Sequence, residues 1–185
     1  MSDLPVSLSG ESGRKMFEVN DVIVYGKSGI CKVEEIGTIS LSMADKKREY
    51  YTLRPIYQRE AVIYVPVDNS KTIMRPVISK AEAKQLIEEI PKIQTVWIGN
   101  EREREVQYRS ALSTCDCREL VKIIKTLYQR KKSRIRDGKK VTVVDERYFR
   151  MAEDQLYGEL AYVLEIDKNQ VADYIADSIM EKSES

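Results

Sequence analysis

The tripeptide Gly-Lys-Ser at residues 26–28 suggests nucleotide chemistry, because it ends the loop that binds phosphate in many nucleotide-hydrolysing proteins. That loop needs a glycine five residues earlier, and it must open into a helix whose N-terminal amides contact the phosphates. The earlier position is Asp21, whose carboxylate would repel phosphate, and residues 30–36 are rich in β-branched residues. The sequence therefore predicts a hairpin turn between Gly26 and Gly29, and no ATP site.

Other common catalytic arrangements are also missing. The chain contains no histidine, the most frequent general base, and its cysteines, Cys31, Cys115 and Cys117, lack the number and spacing of a zinc site. The neighbours in Glu34-Glu35 and in Asp145-Glu146 point in different directions on a strand or helix, so neither pair suits acid–base chemistry. We predict that the protein is not an enzyme and needs no metal or cofactor. An enzyme with a carboxylate or lysine site is the less favoured alternative.

The charges are balanced over the 185 residues but separated along the chain. Charged residues make up 33% of the sequence with a net charge of +1, and 42% of the residues are hydrophobic, enough for a folded core. Residues 118–150 contain 12 Lys or Arg and 4 Asp or Glu, whereas residues 151–185 contain 2 and 9. Such a basic block is typical of nucleic-acid contact, although solvated helix faces would have the same composition. No apolar run approaches the roughly 18 residues of a membrane span, and no signal peptide is evident.

Residues 17–75 have the alternation and turn residues of short strands. The expected strands are 22–25, 30–36, 39–43, 48–53 and 61–66, with a bulge at Gly37 between the second and third. Five short strands in about 50 residues predict a small, strongly bent sheet or barrel. Pro66 should lie at a strand end or an edge, because it cannot donate a hydrogen bond to a neighbouring strand. Residues 1–15 are rich in Ser and Gly, and we interpret them as a flexible leader or an expression remnant, with Met16 as the natural start.

From Pro76 onward the pattern is helical, and capping residues predict five helices. They should begin after Ser79, Asn100, Asp116, Thr142 and Asp167. The expected ends of the first three and the last are Ile90, Ser113, Gly138 and Met180. The fourth should bury Tyr148, Ala152, Leu156, Leu160 and Val163. The sequence thus predicts an α+β protein with a small bent sheet followed by an all-helical domain.

The order of these segments resembles CarD-like bacterial transcription regulators. Segments 17–25, 29–36, 49–53 and 63–67 resemble their N-terminal module, which transcription-repair coupling factors also carry, and segments 108–112, 120–128 and 158–161 resemble their helical part. The resemblance implies a Tudor-like domain at 16–75 that docks on the β subunit of bacterial RNA polymerase. It implies a helical domain at 76–182 that contacts promoter DNA at the upstream edge of the melted region and influences open-complex stability. It further implies a cytoplasmic protein associated with the nucleoid through polymerase, with neither a membrane nor a small-molecule substrate as partner.

The docking face on polymerase is predicted from exposed polar and aromatic positions of the strands. The candidates are Arg48, Tyr50, Arg54, Tyr57, Arg59 and Tyr64. An exposed edge strand can accept a strand of the partner by main-chain pairing. In the alternative interpretation, the three tyrosines close the small core of the sheet.

The candidate DNA contacts are basic residues of the helical part, together with one helix cap. They are Arg104, Arg109, Lys139, Lys140, Thr142, Arg147 and Arg150. Thr142 precedes a helix N-terminus, which suits a phosphate, and no recognition helix is evident, so we expect contacts to the DNA backbone. Arg104 stands where related proteins have a tryptophan in the minor groove, and Trp97 lies seven residues earlier. The alternative is an adaptor that binds only protein, with the basic helices facing an acidic partner.

Overall fold

The computed structural model describes residues 16–40, 47–96 and 100–183, which form an antiparallel sheet followed by helices. The strands of the described chain are β1 (Val22–Tyr25), β2 (Gly29–Gly37), β3 (Tyr50–Pro55), β4 (Ile63–Pro66) and β5 (Met74–Pro76). Its α-helices are α1 (Lys80–Glu89), α2 (Arg104–Ser113), α3 (Cys117–Arg136), α4 (Val143–Leu164) and α5 (Val171–Ser183). The predicted α+β class is confirmed.

The five strands lie in the order β4-β3-β2-β1-β5, and every neighbouring pair is antiparallel. Gly26–Ser28 forms a single 3₁₀ turn between β1 and β2, as expected for a hairpin. Gly26 has a φ of 43°, and a Cβ atom there would lie 2.5 Å from the Thr72 side chain, so this turn requires glycine. Pro66 ends the edge strand β4, which confirms its predicted position.

The start of one predicted strand, 39–43, is not a strand, and another strand was missed. β2 ends at Gly37, residues 38–40 form no strand, and residues 41–43 lie outside the described residues. The bulge lies between Val33 and Glu35 rather than at Gly37. The fifth strand is instead β5, which pairs with β1 through Ile23 and Pro76. β5 has three residues and ends in a proline, so its extended conformation depends on the pairing partner more than on its own sequence.

The capping residues position four of the five helices as predicted. The Ser79 and Glu82 side chains form the expected reciprocal capping box at α1, and the Asp116 and Thr142 side chains cap α3 and α4. Asp167 caps a short 3₁₀ turn that leads into α5. The start of α2 is wrong by three residues. Asn100 accepts a hydrogen bond from the Arg102 amide and closes a turn, so regular helix begins only at Arg104.

The buried residues form two separate cores and a small cluster between them. The core of the sheet contains Phe17, Ile23, Cys31, Val33, Tyr51, Leu53 and Val65. The larger helical core includes four of the five predicted positions of α4, namely Tyr148, Ala152, Leu156 and Leu160, whereas Val163 is half-buried. Val24 and Ile30 of the sheet meet Cys115, which precedes α3, in the third cluster. None of the described helices is both long enough and apolar enough to cross a membrane.

Replacing Leu156 by Ala should lower the free energy of unfolding by about 2–5 kcal/mol, because Leu156 is 2% exposed and its loss leaves a cavity between helices. Val143→Ala in the same helix is the matched control, since Val143 is 84% exposed. It should change stability by no more than about 0.5 kcal/mol. Urea unfolding followed by circular dichroism measures both, and equal losses would show that α4 does not pack as described.

Candidate functional site

The outer face of the sheet carries polar and aromatic side chains in a regular alternation. Along β3, Tyr50, Thr52 and Arg54 are partly exposed, whereas the intervening Tyr51 and Leu53 are buried. Tyr64 of β4 lies opposite Thr52, so it shares this face, and its side chain is exposed. Tyr51, and not Tyr50 or Tyr64, therefore closes the core of the sheet.

Ion pairs hold the two arginines of this face that were predicted to dock. The Arg54 guanidinium donates to the Glu34 carboxylate at 2.5 Å and to the Arg59 carbonyl at 2.6 Å. The hydrogen bond from Arg54 lowers the pKa of Glu34. Arg48 pairs with Asp68 at 2.6 Å, and both side chains are largely exposed. These pairs hold the arginines in place while the face stays open to solvent.

Among the described residues, β4 pairs only with β3, so the other side of its backbone forms an open edge of the sheet. The Val67 amide donates to the Glu49 carbonyl at 3.0 Å, which marks this pair as hydrogen-bonded. Hydrogen-bonded and non-bonded pairs alternate in antiparallel strands, so the Tyr64–Thr52 pair is non-bonded and the N–H and C=O of Tyr64 point away from β3. Because Pro66 has no N–H, Tyr64 provides the central donor and acceptor of this edge.

Tyr57 contacts the helices and lies apart from this face. Its hydroxyl donates to the Gly158 carbonyl at 3.0 Å, and the Lys168 ammonium lies 5.0 Å from the centre of its ring. A Cβ atom at Gly158 would lie 3.1 Å from this ring, so the glycine permits the close approach of the sheet to α4. This contact could not be predicted from local sequence patterns, because the two residues are 101 positions apart.

Arg104 belongs to a charged cluster around Asp145, which is 3% exposed at the first turn of α4. Tyr108 donates to Asp145 at 3.1 Å, and the guanidinium groups of Arg104 and Arg130 lie 3.7 and 3.6 Å from its carboxylate. Both arginines also pair with Glu101, and the hydrogen bond from Arg130 lowers the pKa of that carboxyl. The Arg104 side chain is 16% exposed, so most of its charge is used inside the protein.

The remaining arginine candidates are more exposed but are also paired. Arg147 and Arg109 approach the same carboxylate oxygen of Glu105 at 2.6 and 3.4 Å, and Tyr148 donates to that oxygen as well. Arg150 pairs with Glu146 one turn earlier in α4 at 2.9 Å. Their side chains are 54%, 61% and 73% exposed for Arg147, Arg109 and Arg150. Such exposed pairs are weak enough to exchange partners with a phosphate.

Comparison with known families identifies the sheet. Residues 17–78 match the CarD-like/TRCF RID domain family, and the match includes all the described strands and the open β4 edge. The sheet is a CarD-like RNA polymerase-interacting domain. The match ends two residues before α1, so it does not extend to the five helices. No curated protein matches the chain significantly.

Two exposed lysines lie in the loop between α3 and α4. Lys139 and Lys140 are exposed, and their ammonium groups pair with no carboxylate among the described residues. The Arg134 side chain fixes the loop by donating to the Lys140 carbonyl at 2.7 Å. Thr142 then accepts from the Asp145 amide and starts α4. We call residues 139–143 the basic tip.

The cysteines are buried and have no disulfide partner. Burial raises the pKa of Cys31 and of Cys117 to about 12, and the charge of Glu159 adds to the effect at Cys117. Such thiols are poor nucleophiles. No three His, Cys, Asp or Glu side chains converge as metal ligands in the described part of the chain. Trp97 lies outside the described residues.

Asp145→Ala should destabilise the protein by about 3 kcal/mol, because it leaves Arg104, Arg130 and the Tyr108 hydroxyl without their shared partner in a largely buried site. Glu146→Ala removes the neighbouring, exposed carboxylate that pairs with Arg150 and should cost less than about 0.5 kcal/mol. Thermal unfolding of both variants measures the difference. Equal stability would mean that the cluster does not hold α2 against α4.

Proposed function

We propose that the protein is a bacterial transcription regulator that docks on the β subunit of RNA polymerase and contacts promoter DNA. Docking uses the open β4 edge of the CarD-like domain, and DNA contact uses the basic tip with its neighbouring arginines. The observation that carries the proposal is the family match over residues 17–78 together with the free edge that the same segment presents. The protein then acts in the cytoplasm, where polymerase and promoter DNA meet.

The β4 edge is suited to accept one strand of a partner. It is four residues long and ends at Pro66, so a partner strand can pair with it in only a short, defined register. A long exposed edge would instead promote aggregation. Tyr64, which is 43% exposed, supplies the free backbone pair and an aromatic side chain beside it. Tyr50 and Arg54 on the adjacent strand complete a surface of the kind enriched at protein interfaces. Arg48 and Arg59 flank this surface. Tyr57 is not part of it, because its hydroxyl contacts α4.

Contact with DNA is supported by the exposed lysines of the basic tip, which pair with no carboxylate among the described residues. Lys139 and Lys140 need not break an ion pair to bind phosphate, and the N-terminus of α4 beside them favours an anion. Arg109, Arg147 and Arg150 can add contacts by exchanging a carboxylate for a phosphate. Lysines on a loop bind phosphate as point charges, so the proposed contact tolerates many sequences. An effect on open-complex stability follows from holding upstream DNA against polymerase.

A second candidate function is an adaptor that binds only protein. It is favoured by the observation that Arg104, Arg109, Arg147 and Arg150 all pair with carboxylates of this chain. An adaptor would bind polymerase as well as a DNA-contacting regulator does, but it would show no measurable binding to DNA at any salt concentration. Direct measurement of DNA binding therefore separates the two functions.

Tyr64→Pro should abolish binding to the polymerase β subunit, because it removes the outward N–H that a partner strand needs. The hydrogen bonds between β3 and β4 are expected to survive, since the Tyr64–Thr52 pair is non-bonded. Tyr64→Ala is the control that keeps the N–H and loses only the ring. If the two variants bind the isolated β subunit equally well in a titration, while circular dichroism shows both folded, docking does not use the edge.

Binding of the full chain to duplex DNA should weaken steeply with salt, since lysine–phosphate contacts release counterions. With roughly two to four contacts, the slope of log affinity against log salt should be about −2 to −4. Substituting both Lys139 and Lys140 by Ala should make the slope less steep by about 1.8 on any sequence. Lys80→Ala, at an exposed lysine at the start of α1, is the matched control. An unchanged slope in the double variant, or no binding by the wild type, would favour the adaptor.

A further inference from the structure

The CarD-like domain and the helices meet at a buried ion pair. Arg75 of β5 places its two terminal nitrogens 2.6 and 2.7 Å from the two carboxylate oxygens of Glu159 in α4. The Glu159 side chain is 2% exposed and that of Arg75 is 24% exposed. Burial alone lowers the pKa of Arg75, but the hydrogen bonds and the charge of Glu159 outweigh it and raise that pKa. This two-pronged geometry fixes both distance and direction between strand and helix.

The same two side chains also hold the segments that join the sheet to the helices. Arg75 donates from Nε and Nη2 to the Cys115 carbonyl, at 2.9 and 2.6 Å, just before α3. Glu159 accepts from the Ile78 amide at 2.9 Å, in the short connection between β5 and α1. The Cys117 thiol donates to Glu159 at 3.3 Å. One pair therefore holds a strand, the connection that leaves it, the start of α3 and the middle of α4.

Apolar and polar contacts on either side of the ion pair also join the sheet to the helices. Val24 and Ile30 pack against Cys115 beside the ion pair, and Tyr57 bonds to Gly158, the residue that precedes Glu159. The connection between β5 and α1 has three residues, and its middle amide is already bonded to Glu159. A rotation of the sheet relative to α4 would break the ion pair and leave a buried carboxylate without a partner, which is energetically costly.

We propose that Arg75 and Glu159 are positioning residues that hold the CarD-like domain and the helices at one fixed angle. Building on the proposed function, the angle sets where the basic tip lies once the β4 edge is docked on polymerase. In this proposal the pair acts through the orientation of the two parts rather than by contact with polymerase or DNA. A free joint would let the tip sample many positions and spend less time at the promoter, whereas a rigid joint delivers it to one place.

The test compares Glu159→Gln and Arg75→Lys, two mild changes that disrupt the charged fork, with Tyr57→Phe, which removes only the hydroxyl contact with Gly158. Lys80→Ala is the matched control, because it breaks the exposed ion pair with Glu165, which lies wholly within the helical part. Spin labels attached at Lys32→Cys on β2 and Gln129→Cys on α3 report the distance between the two parts. The native thiols are buried, with raised pKa values, and therefore remain unlabelled.

The wild-type background and the Lys80→Ala control should each give a single narrow distance distribution, and Glu159→Gln and Arg75→Lys should give a broad or displaced one. Binding to the isolated β subunit should stay within about twofold, since the edge is untouched. The lifetime of promoter complexes with polymerase should fall at least about fivefold in these two variants, and less in Tyr57→Phe. Far-UV circular dichroism confirms that each variant is folded.

An unchanged distance distribution in both ion-pair variants overturns the proposal, and so does a broadened distribution with an unchanged lifetime. If the wild-type protein itself leaves promoter-complex lifetime unchanged, the proposed function fails, and the distance distribution alone then decides whether the pair fixes the angle. A loss of β-subunit binding as large as the loss of lifetime would show that the pair supports the fold of the CarD-like domain rather than its orientation.

Discussion

The ion pair between Arg75 and Glu159 is the interaction on which the relation of the sheet to the helices depends. An isolated carboxylate at 2% exposure would be too costly to keep charged, and here it is stabilised by a guanidinium, a backbone amide and a thiol. Removing one partner of such a pair typically costs about 3–5 kcal/mol, a large share of the stability of a small protein. The pair thus connects the core of the sheet to the core of the helices. Leu53 and Leu160, both 0% exposed, each pack within only one of these cores and cannot make that connection.

The same electrostatic reasoning changes the meaning of the basic block at residues 118–150. Counted along the sequence, the block is strongly positive, but Arg130 and Arg147 are bound to carboxylates on α2 or in the turn before it. Arginine suits this use because its planar fork satisfies two oxygens at once, whereas lysine prefers full hydration. The lysines of the basic tip, in contrast, pair with no carboxylate among the described residues. The net charge of a segment therefore overestimates the number of cations available to DNA when its arginines form ion pairs with glutamates from other segments.

Much of the fold could be predicted from the sequence, because its signals are local. Ser79, Asp116 and Thr142 cap helices through bonds to residues two or three positions away, and such spacing is visible in the sequence. The sites were harder to predict, because their contacts are distant. Glu159 follows Gly158 in an ordinary helical pattern, and nothing local shows that its charge faces inward toward a strand 84 positions earlier. The strand β5 escaped prediction for the same reason, since its conformation comes from pairing with β1.

The position of the open edge relative to the ion pair agrees with the two roles that we propose for the sheet. β4 and β5 lie at opposite ends of the strand order, so the open edge is on the side of the sheet away from the strand that carries Arg75. A partner strand added to β4 would extend the sheet without disturbing Arg75. The three intervening strands share hydrogen bonds and a common core, and a sheet with such a core resists bending across its width. A partner strand at β4 would therefore leave the ion pair unchanged, and with it the position of α4, whose first turn adjoins the basic tip.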